Sequence, residues 1–159
     1  MAKENFYIMS KELERAVKNG EKIVASEIIR KLDHINCCDF GTKTSLVMWS
    51  CAWGWTDLLI FLIEKGAVFK SYCSLGGDTA LMTAASHGRI DIVEILVNRG
   101  AKVNQKDVSG NTAAHYAAFS KNWKILRLLI ENGSKYKLIV PIDVDWEQIV
   151  SEDPDIPQN

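Results

Sequence analysis

The stretch Thr79–Gly100 reads TALMTAASHGRIDIVEILVNRG, and Thr112–Gly133 reads TAAHYAAFSKNWKILRLLIENG. The two agree in kind at an offset of 33 residues, a fixed period that marks a repeat architecture. Each opens on Gly-x-Thr, at Gly77-Asp78-Thr79 and Gly110-Asn111-Thr112. Each then carries a pair of small residues, Ala84-Ala85 and Ala117-Ala118, and ends on a glycine. The threonines have side-chain oxygens suited to capping a first helix, and the small pairs allow a neighbouring element to approach it closely. Gly88 can take the left-handed turn that leads into a second helix. In that second helix Ile92, Val93, Ile95 and Leu96, and likewise Ile125, Leu126, Leu128 and Leu129, recur at helical spacing. The period therefore predicts a helix–turn–helix unit.

An earlier copy runs from about Asp39 to Cys73, centred on SLVMWSCAWGWTDLLIFLIEKGA. Setting Gly54 against Gly88 and Gly66 against Gly100 puts Ser45 on the capping position and Ser50-Cys51 on the small pair. The other register, with Thr44 as the cap, would place Trp49 where a small side chain is needed, so the Ser45 register is preferred. A fainter copy opens the chain. Leu13, Ala16, Val17 and Gly20 match a first helix, and Ile28, Ile29 and Leu32 match a second. Polar residues on its outer positions suit an end unit of a stack. After Gly133 the pattern lapses, and the final SEDPDIPQN is acidic and Pro-containing, so a frayed end is expected.

These residues resemble ankyrin repeats. The likeness rests on Thr112-Ala-Ala-His115-x-Ala117-Ala, close to T-P-L-H-x-A-A, on Gly100-Ala-Lys-Val-Asn104, and on Asp107-x-x-Gly110-x-Thr112. It covers about residues 8 to 139. The resemblance implies an all-α solenoid of helix–turn–helix units with short hairpin fingers. The expected layout is a solenoid over 1–139, with an N-terminal cap at about 6–38 and repeats at about 39–73, 74–106 and 107–139. An irregular C-terminal cap and acidic tail follow at 140–159. Three departures stand out: no Pro follows the capping residues, Met48 and Met82 stand where the family has His, and Lys121 replaces the inter-helix Gly. They predict a less stable middle and a looser turn near Ser120–Asn122.

Composition limits the function classes. The chain has 159 residues, 47% of them hydrophobic and 25% charged, which suits a single soluble domain. A net charge of −1 argues against a nucleic-acid binder held mainly by phosphate contacts. The longest apolar run, Leu58–Ile63, falls far short of the roughly 20 residues a membrane span requires. The start, MAKENFYIMS, lacks the plan of a signal peptide, so a cytoplasmic or nuclear protein is expected. Cys37, Cys38, Cys51 and Cys73 include no C-x-x-C pair and no zinc-type spacing with His.

No catalytic constellation emerges. His34, His87 and His115 fall at different repeat positions with no recurring acid or nucleophile beside them. His115 reads as a structural histidine bonding the backbone of a neighbouring finger, and His87 as a solvent-facing residue. No Walker-type loop, G-x-G-x-x-G or H-E-x-x-H is present. A thiol redox enzyme using the adjacent Cys37 and Cys38 is the remote alternative. No cofactor or metal is expected, and with the solenoid filling most of the chain no room is expected for a catalytic domain.

The resemblance implies a non-catalytic interaction module that regulates or adapts a partner complex, binding a protein on the concave face of fingers and first helices and monomeric when alone. A cell-cycle kinase complex is the favoured partner class, and a transcription factor bound in the manner of NF-κB inhibitors is the alternative. On that face the finger tips contribute Phe40, Lys43, Leu75, Asp78, Val108 and Asn111. The ends of the first helices add Trp53, Trp55, His87, Arg89 and Phe119. Trp123 and Trp49 read as core residues. Trp53 and Trp55 flank the Gly54 turn at positions that are polar in the next unit, and packing within the repeat explains them poorly.

Overall fold

The computed structural model describes residues 3–31, 44–69 and 76–135. Among them lie eight helices and no sheet: α1 (Lys3–Lys18), α2 (Lys22–Lys31), α3 (Leu46–Trp53), α4 (Thr56–Glu64), α5 (Ala80–Ser86), α6 (Ile90–Asn98), α7 (Ala113–Phe119) and α8 (Trp123–Glu131). They fall into four helix pairs. The capping residues explain where the first helices begin. Ser45 accepts from the Met48 N–H at 3.3 Å, which agrees with the Ser45 register. Thr79 accepts from the Met82 N–H at 3.2 Å, and the Thr79 N–H in turn donates to the Met82 Sδ at 3.3 Å. A thioether thus closes the box that an imidazole closes in the last repeat, and Met82 is accommodated without loss of the cap.

Packing follows the small residues. Ala84, Ala85 and Ala117 are fully buried, and with these short side chains α5 lies directly on α7, as α3 lies on α5. The second helices close the other layer. Leu58, Leu59, Leu62, Ile92, Val93, Leu96, Ile125, Leu126 and Leu129 are all at most 2% exposed and form one continuous core with the alanines. Each such aliphatic side chain contributes about 1.5–3 kcal/mol of hydrophobic stabilisation. Adjacent units are also tied by backbone groups. Asn104 donates from Nδ2 to the Gly133 carbonyl at 2.9 Å and accepts from the Lys135 N–H at 3.0 Å.

The inter-helix turn near Ser120–Asn122 is no looser than the others, contrary to the expectation from sequence. Lys121 enters the left-handed region at φ 56°, and the turn closes through Lys121 N–H to Ala118 O at 3.0 Å and Asn122 N–H to Ala117 O at 2.8 Å. The equivalent bonds around Gly88 measure 3.4 and 3.0 Å. The missing glycine therefore shows as backbone strain at one residue. Replacing Lys121 by Gly should raise stability by about 0.5–1 kcal/mol, since left-handed strain at a non-glycine exceeds the extra chain entropy of Gly. A urea titration showing no gain would refute the strain account.

The N-terminal pair departs from the regular stack. Its α1, at 16 residues, is about two turns longer than α3, α5 or α7. It packs against α2 and against α4, with Leu13 and Ala16 buried, instead of lying mainly on α3. The extra length carries Tyr7 out to the side of α3, and that reach assembles the candidate site.

Candidate functional site

At the N-terminal end four aromatic rings form a row. Tyr7 lies 5.3 Å from Trp49 and 6.0 Å from Trp53, ring centre to ring centre. Trp49 and Trp53 are 6.3 Å apart and within 18° of parallel, and Trp53 and Trp55 are 6.3 Å apart at 20°. Such spacings lie in the range where ring pairs attract beyond simple burial. Trp49 and Trp53 are one turn apart on α3, so their side chains share a face. Trp55 follows Gly54, whose φ of 76° folds the chain back so that the next ring meets Trp53.

The members of the row differ in exposure. Trp49 and Trp55 are half-buried and pack against the core, whereas Trp53 is 49% exposed. Trp55 is therefore in part a structural residue of its own repeat, and Trp53 is the ring presented outward. Two cations stand near the row. The Lys11 ammonium sits 4.9 Å above the Tyr7 ring. Arg89 donates from Nε to the Ala52 carbonyl at 3.1 Å and lays its guanidinium against Gly54, where an added Cβ would lie 3.4 Å from Cζ. Sequence reasoning missed Tyr7 and Lys11, because their proximity depends on how α1 crosses the next unit.

A second polar cluster joins the fingers of the last two repeats. The Tyr116 hydroxyl lies 2.9 Å from Asp78 Oδ1 and 2.8 Å from Asp107 Oδ2, so its single proton is shared between two carboxylates. Burial, then the hydrogen bonds to Asp107 and Asp78, push the phenol well above the ordinary tyrosine range. For Asp107 burial acts to raise the pKa, but donation from Tyr116, Asn111 and Ser109 outweighs it and holds the carboxyl below its ordinary value of 3.8. Asn111 is bound up in the same finger, donating from its N–H to Asp107 Oδ1 at 2.8 Å, and the Val108 N–H reaches the Gly76 carbonyl of the preceding finger at 3.1 Å. Asp78 thus ties its finger to Tyr116 of the next repeat, and Asn111 braces its own finger.

The other proposed contact residues are more dispersed. Val108 is 77% exposed at its finger tip, and Phe119 is 53% exposed beside His115, 6.3 Å between ring centres. His87 is exposed and hydrogen-bonds through Nδ1 to the Thr83 carbonyl at 2.9 Å. Phe40, Lys43 and Leu75 lie outside the described residues, as do His34, Cys37, Cys38, Cys73, Trp146 and the acidic tail. Cys51 is buried. Among the described residues no three His, Cys, Asp or Glu side chains are grouped to hold a metal, and no helix is long and apolar enough to cross a membrane.

His115 bonds backbone of its own repeat and, among the described residues, none of a neighbouring finger. Its Nδ1 accepts from the Thr112 N–H at 2.9 Å, so the ring is neutral and carries its proton on Nε2. Burial lowers its pKa from the ordinary 6.5, with a smaller opposing pull from Asp107. A pKa depressed on folding stabilises the fold above 6.5, and that contribution is lost as pH falls from there through the folded value. Melting temperature should therefore drop between pH 7 and 5, and His115→Met, which copies Met82, should remove that step. A step of unchanged size in the variant would assign it to other groups.

A family model described as ankyrin repeats (3 copies) matches residues 13–107 and 75–139. The chain belongs to the ankyrin-repeat family. The family's units are protein-interaction modules and generally non-catalytic. Over 94 residues, 57% of the chain, it is 37% identical to a probable E3 ubiquitin-protein ligase of Oryza sativa subsp. japonica, covering 18% of that protein. It is 35% identical over 91 residues to serine/threonine-protein kinase 12 of Arabidopsis thaliana, covering 57% of this chain and 19% of the kinase. An ankyrin repeat and SAM domain-containing protein 6 of Rattus norvegicus is 34% identical over 99 residues, 62% of this chain and 11% of its own length. The chain spans about a fifth or less of these relatives.

Proposed function

We propose that this ankyrin-repeat protein acts by occupying a partner protein's surface, as a stoichiometric regulator or adaptor working in the cytoplasm or nucleus. The observation that carries the reading is the half-exposed Trp53, held in a row of rings with Lys11 over Tyr7 and Arg89 bonded to Ala52. Exposed tryptophan and arginine side chains supported by packed neighbours are typical anchors of protein interfaces. Val108 and Phe119 extend the contact surface along the later repeats. Of the partner classes, a cell-cycle kinase complex is favoured, because the repeat number is small for an inhibitor of NF-κB-type factors.

Trp53→Ala separates binding from folding better than a double replacement would, since Trp55 packs against the core. Quantitative affinity purification with the full chain should recover a partner in near-equal amount, containing a kinase subunit. Trp53→Ala should reduce its recovery at least tenfold, with far-UV CD and melting temperature nearly unchanged. Equal recovery by both chains would place the interface elsewhere, and a much earlier melt would make Trp53 a structural residue.

A further inference from the structure

The row of rings also has a charge pattern that selects its ligand. Tyr7, Lys11 and Arg15 follow one another at four-residue spacing, so they share one stripe of α1, and both cations are exposed. Arg89, lying against Gly54 directly after Trp53, is fixed by its bond to the Ala52 carbonyl, which leaves the other guanidinium N–H groups for a ligand. Neither Lys11 nor Arg89 makes an ion pair with a described residue. Each cation thus lies beside a neighbour of Trp53, Lys11 on Tyr7 and Arg89 on Gly54, with no ion pair among the described residues.

We propose that this surface binds a peptide segment of a partner protein in which an apolar or aromatic residue has carboxylates on both sides. The proposal rests on the reading of Trp53 as a partner anchor and names the chemistry of that partner. The apolar residue stacks on Trp53, and the flanking acids meet Lys11 at one end and Arg89 at the other, where a guanidinium can grip a carboxylate with two donors. Nucleic acid fits less well. A phosphate backbone needs a continuous basic track, whereas the fingers of the later repeats carry the carboxylate pair Asp78 and Asp107 on Tyr116.

The test uses the full chain and two synthetic heptapeptides, one with a central phenylalanine between three aspartates on each side and the other with lysines in their place. By calorimetry the aspartate peptide should bind at least tenfold more tightly than the lysine peptide, and its affinity should fall several-fold from 50 to 300 mM salt. Trp53→Ala and Lys11→Glu should each weaken it about tenfold at unchanged melting temperature. Lys11→Glu is used in preference to an Arg89 variant, which would lose the bond to the Ala52 turn. Lysine-peptide binding that Trp53→Ala abolishes would overturn the acidic preference and leave the docking face intact. Aspartate-peptide binding indifferent to Trp53→Ala would overturn both. Tighter binding of oligo(dT), a concentration-dependent dimer lost in Trp53→Ala, or a zero-length crosslink from Lys11 to a carboxylate of residues 143–155 would each assign the surface to a different occupant and overturn the proposal.

Discussion

Leu96→Ala should lower the unfolding free energy by about 3 kcal/mol and the melting temperature by roughly 10 °C. Leu96 is fully buried on α6, which packs against both α5 and α8, so the cavity opens between two repeats. Close-packed surroundings relax only partly around such a void, and the lost transfer energy adds to the lost contacts. In a stack whose stability is a sum of units and their interfaces, a defect in an inner unit also weakens its neighbours. Urea unfolding followed by far-UV CD measures the effect. A loss below about 1 kcal/mol would show that the site collapses freely, and that the inner repeat is less tightly packed than its geometry indicates.

Gly88→Ala should cost about 2–3 kcal/mol, more than a glycine replacement with left-handed backbone alone. Gly88 has φ +68°, and an added Cβ would lie 2.9 Å from Asn122 Oδ1. Asn122 cannot simply move aside, because its Nδ2 donates to the Ala85 carbonyl at 2.8 Å and to Ser86 at 3.3 Å, clasping one repeat to the next. Backbone strain of roughly 1–2 kcal/mol and a lost inter-repeat hydrogen bond of about 1 kcal/mol act together. Gly66→Ala is the control: its φ is +88° with nothing within 4 Å of the added carbon, so only the backbone strain applies. Equal losses in the two variants, measured by chemical unfolding, would refute the clasp.

Arg89 and Asn122 share a repeat position, as does Trp55, yet the three do different things. Asn122 and Arg89 each reach back to a turn carbonyl of the preceding unit, at Ala85 and Ala52, while Trp55 packs on the core and stacks with Trp53. The repeat period was legible because its causes are local. A capping oxygen acts three residues along, a small pair lies on one helical turn, and Gly88 needs only its own backbone angle. Those features placed the caps at Ser45 and Thr79 and identified the buried aliphatic face of each second helix. Lys121 was misread because sequence shows a missing glycine but not whether the surrounding bonds can hold a lysine in the left-handed region.

The candidate site was legible only in part, for a physical reason. Trp53 and Trp55 stood out since repeat packing did not explain them, but Tyr7 and Lys11 come from a helix more than 40 residues earlier in the chain. The place of Tyr7 beside Trp53, with Lys11 over its ring, depends on the length of α1 and on its packing against α4, which arises from burial of Leu13 and Ala16 and follows no local pattern. The binding of Asp78 and Asp107 by Tyr116 is likewise a meeting of two repeats, 38 and 9 residues apart in the chain. Sequence by itself determined the repeat, its caps and its apolar faces, because these follow from interactions within a few residues. Only the tertiary structure decided which ring is exposed, which acids are tied up and which cations make no ion pair among the described residues. Those outcomes depend on side chains brought together by packing across the stack.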